Sequence, residues 1–383
     1  MSETILADVL GEAGAPTGRV VSPFEFWPAW LFYAPIVAQW IGLGLRYGDF
    51  TLPCAANPGI DTGGLCGERK SDILDLVQGE ARDWIAPYAT FRTGAGRAGN
   101  GDAAAGAANG AADSGADLAS ARAAMARAGI GFPVVVKPDI GCNGTGVRLV
   151  PDAATLARVL AGFPRGVGLV VQRLIPHEGE VGLFTIRRPG EPRGRVTSVT
   201  LKFAPFVIGD GRSTLRDLIL ADPRAGRIPQ LYLPRLQGRL DDVPALGARV
   251  RLVFSGNHCK GSIFRDGTAE VTPALTERVD RIARAIPDFH FGRIDARYES
   301  LAALRRGEFT VIEINGVGSE ATHVWDPDTQ LRDAYAAQFF HYRAAFEIGR
   351  EMRARGHKAA GLRALFGFWR RQKRLMASYP MND

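Results

Sequence analysis

Cysteine is scarce in this sequence, and the four cysteines, Cys54, Cys66, Cys142 and Cys259, are widely separated. None forms a C-x-x-C pair or lies near a histidine at zinc-finger spacing, which excludes the common structural zinc motifs. The pattern is typical of reduced thiols in a cytoplasmic protein rather than of a disulfide-stabilised secreted domain.

A secretory leader is also missing from the start of the sequence. The first residues, MSETILADVLGEAG, lack the basic start and the apolar centre of a signal peptide, so we expect a cytoplasmic protein. The composition is that of a globular protein, with 46% hydrophobic residues. The net charge of +7 suits acidic partners such as nucleotide phosphates, anionic lipid or nucleic acid.

One long segment without charge is present near the N-terminus. From Phe26 to Leu45 the chain has no charged side chain, and it contains three tryptophans and a tyrosine. The segment is long enough to span a bilayer, but its prolines and tryptophans are better suited to an interface. Two interpretations stay open: a buried helix of an N-terminal domain, or peripheral contact with a membrane.

Composition divides the chain into segments. We expect an N-terminal domain over residues 1–93, and a flexible Gly/Ala-rich linker or loop over 94–117. Over residues 118–330 apolar strands alternate with helices, which indicates an α+β or α/β domain. Helices with a basic tail follow over 331–383.

The first candidate site is the segment FPVVVKPDIGCNGTGV. An apolar strand ends at Lys137, and Gly141, Gly144 and Gly146 follow. Glycines let backbone N–H groups turn toward a bound anion, and the lysine adds a positive charge for a phosphate. The segment is neither a Walker A nor a Rossmann motif. It predicts a phosphate-binding loop, although ordinary turns produce similar patterns.

The second candidate site is FGRIDARY followed by FTVIEING. Arg293 and Asp295 alternate on one strand, and Glu313 and Asn315 alternate on the next, so each pair leaves one face of its strand. If the strands pair, Asp295, Glu313 and Asn315 converge beside Arg293. Carboxylate and amide oxygens suit Mg²⁺, and charges on apolar strands need a partner or a metal. We predict a Mg²⁺ site here; the alternative is an exposed hairpin face.

In this order, the two segments resemble the ATP-grasp superfamily, in its D-alanine–D-alanine ligase and carboxylate–amine ligase branch. The K-P-x-x-G-x-x-G-x-G loop, R-x-D and E-x-N are landmarks of that family. The resemblance covers Leu118 to Asp328. It implies an α+β fold of two subdomains gripping ATP, preceded by an N-terminal α/β domain and followed by C-terminal helices. It also implies an ADP-forming ligase that uses ATP and one or two Mg²⁺ ions to join a carboxylate to an amine through an acyl phosphate.

The resemblance also implies roles for further nucleotide-binding residues. The hinge that reads the adenine base through backbone groups corresponds to Gln172, Arg173, Leu174 and Ile175. Glu180 corresponds to the residue that binds the ribose, with Glu178 as the alternative. Lys202 corresponds to a basic residue at the terminal phosphates. We expect Lys202 and Arg293 to be catalytic, with Arg293 stabilising the oxyanion.

Substrate contacts are expected from two segments on either side of the metal motif. Glu320 is a candidate for holding an ammonium group, and Lys260 and His323 are candidate substrate contacts. A lone histidine is more often structural than catalytic.

One residue that the family normally has is missing. No lysine lies between Lys70 and Lys137, where the family has another nucleotide-contacting lysine. Either Arg92 replaces it or the contact is absent. An ATP-binding pseudo-enzyme is therefore one alternative function.

The C-terminal segment predicts a basic amphipathic helix. No acidic residue lies between Gly356 and Asn382, and GLRALFGFWRRQKRLM has apolar residues at near-helical spacing. Such a helix either packs on the domain or lies on anionic lipid, so a membrane-surface scaffold is the second alternative function. We expect small-molecule carboxylate and amine substrates and no nucleic-acid partner. A peripheral location on the inner face of the membrane and a homodimeric state stay open.

Overall fold

The computed structural model describes Arg19, residues 21–94 and residues 110–383, apart from the side chains of 110–114. Its helices are α1 (Ala29–Tyr47), α2 (Lys70–Asp75), α3 (Gly110–Arg127), α4 (Ala153–Ala161), α5 (Leu215–Ala221), α6 (Pro229–Tyr232), α7 (Pro273–Arg284), α8 (Leu301–Arg305), α9 (Leu331–Ala354) and α10 (Leu362–Met376). Its strands are β1 (Tyr88–Arg92), β2 (Val134–Pro138), β3 (Arg148–Val150), β4 (Gly168–Arg173), β5 (Gly179–Ile186), β6 (Arg195–Phe203), β7 (Phe206–Ile208), β8 (Arg249–Arg251), β9 (Ile263–Asp266), β10 (Phe291–Tyr298) and β11 (Thr310–Asn315).

The first sheet has four antiparallel strands in the order β1-β4-β2-β3. The β-branched run of β2 is buried against α3 and α4, as its apolar composition predicts. Asp152 begins α4 because its side chain accepts a hydrogen bond from the N–H of Thr155. This sheet places Lys137 and the glycine loop at one end of β2.

The second sheet has five antiparallel strands in the order β11-β10-β5-β6-β9. One face packs on α7 through Val181, Leu183 and Ile294. The opposite face packs on α9 at one end, through Phe184 and Phe291, and carries polar side chains toward the other end. The prediction of an α+β fold with helices at the C-terminus is confirmed, and β7 and β8 form a separate two-stranded sheet.

The N-terminal segment differs from the expected separate α/β domain. Among the described residues of the segment 1–93, the only strand is β1, and it pairs with β4 of the first sheet. The apolar residues of α1 pack on other parts of the chain, since Phe32 and Ile36 join Trp325 in an aromatic cluster. The segment therefore completes the two subdomains instead of forming its own sheet.

The expected linker over 94–117 lies largely outside the described residues. Where the description resumes, the backbone from Gly110 is already helical, so α3 begins before the predicted start of the domain at residue 118. Asp117 fixes this helix because its side chain accepts a hydrogen bond from the N–H of Gly94 at 2.6 Å. Many of these residues are alanine, which has the highest helix propensity, and this explains why a Gly/Ala-rich composition forms a helix here.

The apolar segment 26–45 forms α1, and only part of it is buried. Phe32, Ile36 and Leu43 face the protein, whereas Trp30 and Leu45 are exposed. No helix in the described ranges is long and apolar enough to cross a membrane.

Candidate functional site

Charged side chains cover the polar part of one face of the second sheet. Asp295 on β10 lies opposite Glu313 on β11, and Arg293 lies opposite Asn315, so the expected pairing of the two motifs is present. On its other side Asp295 lies opposite Gly182. A Cβ atom at Gly182 would lie 3.1 Å from Asp295 Oδ1, so a larger residue would crowd the carboxylate.

Asp295 is the most heavily bonded carboxylate of the site. Arg293 donates two hydrogen bonds to it, of 2.9 and 3.0 Å, and Lys202 Nζ lies 3.1 Å from Oδ1. The side-chain nitrogen of Asn315 donates to Oδ2 at 3.1 Å. Burial alone would raise the pKa of Asp295, but Arg293 and Lys202 lower it to about 2. The carboxylate therefore stays ionised at any physiological pH.

Glu313 has lysines as its charged neighbours. Lys70 Nζ lies 3.2 Å from Glu313 Oε1. Burial opposes ionisation of Glu313, yet the charges of Lys70 and Lys137 hold its pKa below the usual value. In return, Glu313 raises the pKa of Lys70 despite the burial of the ammonium group. Both groups are thus charged in the folded protein.

Lys137 joins the two sheets. Its Nζ atom donates to Gln172 Oε1 on β4 and to the carbonyl oxygen of Ile312 on β11, both at 2.9 Å. Burial lowers the pKa of Lys137, because an ammonium group loses solvation inside the protein. A buried lysine between two sheets is available to an anion that enters between them.

Glu180 and Lys202 are paired residues on β5 and β6. Lys202 Nζ lies 3.1 Å from Glu180 Oε1, and Arg297 lies 3.4 Å from Oε2. Because Lys202 also contacts Asp295, one ammonium group links two carboxylates. A Cβ atom at Gly256 would lie 2.2 Å from Glu180 Oε1, so this carboxylate is covered by backbone. Glu178, the alternative candidate for the ribose contact, pairs with Arg251 at 2.8 Å.

The glycine loop begins after Pro138 and lies against the C-terminal tail. Gly144 and Gly146 have φ angles of 66° and 74°, which a residue with a side chain adopts only at a cost. Lys70 Nζ donates to the carbonyl oxygen of Gly141 at 2.5 Å. The hydroxyl of Tyr379 donates to the carbonyl oxygen of Ile140 at 2.9 Å.

The predicted hinge residues lie at the end of β4, with alternating directions. Gln172 faces Lys137, whereas Arg173 is exposed and donates to the carbonyl oxygen of Gly129. The N–H groups of Arg173 and Leu174 donate to Pro87 and Pro133, so a contact to a base would use other backbone groups. A cavity of about 850 Å³ is lined by Arg173 and Ile175 but not by Gln172 or Lys137.

The three candidate substrate residues are in different surroundings. Glu320 accepts hydrogen bonds from Tyr33, Trp325 and Gln338, and its carbonyl oxygen accepts one from Arg293. His323 Nδ1 lies 2.7 Å from the hydroxyl oxygen of Ser198, farther along the site face of β6. Lys260 lies on a 3₁₀ turn outside these contacts. The structure thus brings Glu320 next to Arg293 and leaves Lys260 apart.

Lys70 is the residue that the sequence interpretation missed. The expected replacement for the missing lysine, Arg92, is exposed and donates to the carbonyl oxygen of Gly166, so it does not lie at the site. Lys70 reaches both Glu313 and the glycine loop from α2. Nothing local in the sequence marks Lys70. Arg297, by contrast, continues the alternation of Arg293 and Asp295 and could have been inferred.

The side chains at the centre of the site fit a Mg²⁺ ion that is bound together with phosphate. In the described part of the chain, no group of three or more His, Cys, Asp or Glu side chains is arranged for a metal. The protein offers two carboxylates, Asp295 and Glu313, and the amide of Asn315. Mg²⁺ usually keeps several waters and takes ligands from phosphates, so a small protein donor set is suitable.

Comparisons with known proteins find similar structures but no similar sequence. No family model and no curated protein sequence matches the chain. One similar structure is a bifunctional glutathione synthetase from Pasteurella multocida, with 17% identity and a TM-score of 0.34, covering 70% of this chain and 35% of that one. Another is the VanG D-Ala:D-Ser ligase from Enterococcus faecalis, with 14% identity and a TM-score of 0.40, covering 75% and 64%.

A third similar structure is a D-alanine–D-alanine ligase from Bacillus anthracis, with 17% identity and a TM-score of 0.37, covering 78% of this chain and 70% of that chain. The chain thus spans about a third of the first of these proteins and just under two thirds of the second. In overall fold, the chain resembles ligases.

Proposed function

We propose that the chain is an ATP-dependent ligase that joins a small-molecule carboxylate to an amine and releases ADP and phosphate. The observation that supports this is the convergence of Lys137 from the first sheet with Lys202, Arg293, Asp295 and Glu313 from the second. Cations for a phosphoryl group and carboxylates for a metal then lie in one place, which is what phosphoryl transfer needs.

The first step forms an acyl phosphate. A carboxylate oxygen of the substrate attacks the γ-phosphorus of ATP, and the bond to the departing ADP breaks. Lys137, Lys202 and the N–H groups of the glycine loop neutralise the phosphoryl oxygens during transfer. Mg²⁺, as one or two ions held by Asp295, Glu313 and Asn315, would supply further charge neutralisation and orient the phosphates.

The second step forms the carbon–nitrogen bond. The amine attacks the acyl carbon, phosphate leaves, and the amine loses a proton. Arg293 stabilises the oxyanion that develops on the acyl oxygen. Glu320 adjoins Arg293, and its carboxylate accepts hydrogen bonds from the neutral side chains of Tyr33, Trp325 and Gln338, so it would hold the ammonium group of a substrate.

A nucleotide-binding protein without turnover is the weaker candidate. The missing upstream lysine is the reason for considering it, and Lys70 supplies a cation beside Glu313 and the glycine loop.

The proposal is tested by ADP release with pooled carboxylates and amines as substrates. Glu313→Gln should lower turnover by two or more orders of magnitude, because it removes a charge from the metal site. Glu308→Gln is the matched control, since Glu308 is exposed and pairs with Arg306 at the surface. Turnover by folded Glu313→Gln at limiting Mg²⁺ equal to that of the wild type would contradict the metal assignment. Release of AMP instead of ADP would contradict the reaction class.

A further inference from the structure

Two surface helices leave apolar side chains in solvent. On α1 the exposed residues Trp30, Val37, Ile41 and Leu45 recur at helical spacing, and Trp30 is 73% and Leu45 69% exposed. On α10 none of the side chains is buried, and Leu362, Phe366 and Trp369 are exposed in the same way. Exposed apolar side chains that line up along helices mark interaction surfaces, whereas isolated ones do not.

The residue that precedes α10 contacts the segment that follows α1. The N–H of Gly361, the residue before α10, donates to the hydroxyl oxygen of Thr51, shortly after the end of α1, at 3.2 Å. We call the seven apolar residues together the α1–α10 face: Trp30, Val37, Ile41, Leu45, Leu362, Phe366 and Trp369.

Basic side chains border the aromatic residues of this face. Arg370 lies 5.9 Å from the ring centre of Phe366, and Lys373 Nζ lies 5.4 Å from that of Trp369. Arg46 and Arg350 lie over Tyr47 at the junction of the two helices. Along α10 the sequence has no acidic residue, and no ion pair joins its basic residues to a carboxylate within the described ranges.

We propose that the α1–α10 face docks on an anionic lipid surface. Apolar and aromatic side chains flanked by arginine and lysine match an interface with acyl chains below and negative headgroups around them. A nucleic acid would need the basic residues but not the aliphatic residues of α1.

The test is co-sedimentation with vesicles of neutral phosphatidylcholine, alone or mixed with anionic phosphatidylglycerol. The wild type should bind the mixed vesicles and remain in the supernatant with the neutral ones. Changing four basic residues to Gln should lower the partition coefficient roughly a hundredfold or more. These residues are Arg370, Arg371, Lys373 and Arg374. A control with the same charge loss elsewhere should bind as the wild type does. It changes Arg122, Arg193, Arg195 and Arg216 to Gln.

A second variant tests the apolar half of the proposal. Phe366→Ser with Trp369→Ser should also weaken binding to the mixed vesicles, and circular dichroism checks that both variants are folded. Three results would overturn the proposal: wild type in the supernatant with mixed vesicles at low salt, equal loss of binding in the control variant, or undiminished binding by the serine variant. Undiminished binding by the serine variant would show that the basic residues form a general site for polyanions. None of these outcomes depends on ligase activity.

Discussion

At the residue scale, the contacts of Lys70 have the most direct consequence for nucleotide binding. Its ammonium group touches both Glu313 and the glycine loop. We predict that Lys70→Ala lowers the affinity for ATP roughly tenfold to a hundredfold, because it removes a hydrogen-bonding charge beside the phosphates. Affinity for adenosine should change little. Calorimetry with both ligands measures the difference.

The matched control for this substitution is Arg92→Gln. Arg92 is exposed and bonds only to a backbone carbonyl in the described structure, so its replacement should leave ATP affinity unchanged. If Arg92→Gln weakened ATP binding and Lys70→Ala did not, the assignment of the upstream cation would be reversed.

The site residues that the sequence predicted carry a local sequence pattern, whereas the residues that it missed do not. The alternation of Arg293 with Asp295 and of Glu313 with Asn315 is a period of two within one strand, and this alone predicted their shared face. Lys70 reaches Glu313 through the packing of the N-terminal segment, and Glu180 is covered by Gly256 from a distant loop. Such contacts depend on tertiary structure, which the local pattern of residues along one sequence does not reveal.

At the scale of elements, the C-terminal tail supports the glycine loop. The ring of Tyr379 packs on Phe163, with ring centres 5.9 Å apart, and its hydroxyl bonds to Ile140. We predict that Tyr379→Ala loosens the loop and weakens ATP binding several-fold. Tyr379→Phe keeps the ring and loses only one hydrogen bond, about 1 kcal/mol, so its effect should be smaller. Hydrogen exchange of residues 141–147 should increase in the alanine variant, and unchanged exchange would show that the tail does not hold the loop.

The start of α3 shows where a prediction from amino-acid composition differs from the structure. The Gly/Ala-rich stretch was expected to be flexible up to residue 117, but α3 begins at Gly110. Alanine has little apolar surface to bury, yet it favours helix, so composition alone could not decide between a flexible segment and a helix. The strand that ends after Lys137 was predictable because β-branched valines dominate it, and the strand around Asp295 because polar and apolar residues alternate along it.

At the scale of the whole molecule, His341 makes stability depend on pH. It lies on α9 against Phe184, its Nδ1 lies 2.7 Å from the carbonyl oxygen of Ala337, and its Nε2 accepts from Thr197. Burial lowers the pKa of His341 to about 4 from 6.5. The unfolded chain therefore binds the proton more readily, and this part of the stability is full above pH 6.5 and is lost as the pH falls toward 4.

We predict that the free energy of unfolding falls by about 2 kcal/mol more between pH 7.5 and pH 5 in the wild type than in His341→Gln. Gln keeps hydrogen-bonding groups but does not titrate. Urea denaturation of both proteins at the two pH values measures the difference. Parallel pH dependence of the two proteins would show that the histidine does not remain neutral in the fold.

The lysines that pair with Glu180, Asp295 and Glu313 act as built-in counter-ions. A ligand cannot simply add its charges to such a site; it must exchange with the ammonium groups that are already there. A divalent ion alone would have to displace these lysines, and no anionic group would then be present to pair with their ammonium groups. A nucleotide alone would meet carboxylates that repel its phosphates. Together they satisfy both sets of groups, so each should increase the affinity for the other by the same factor.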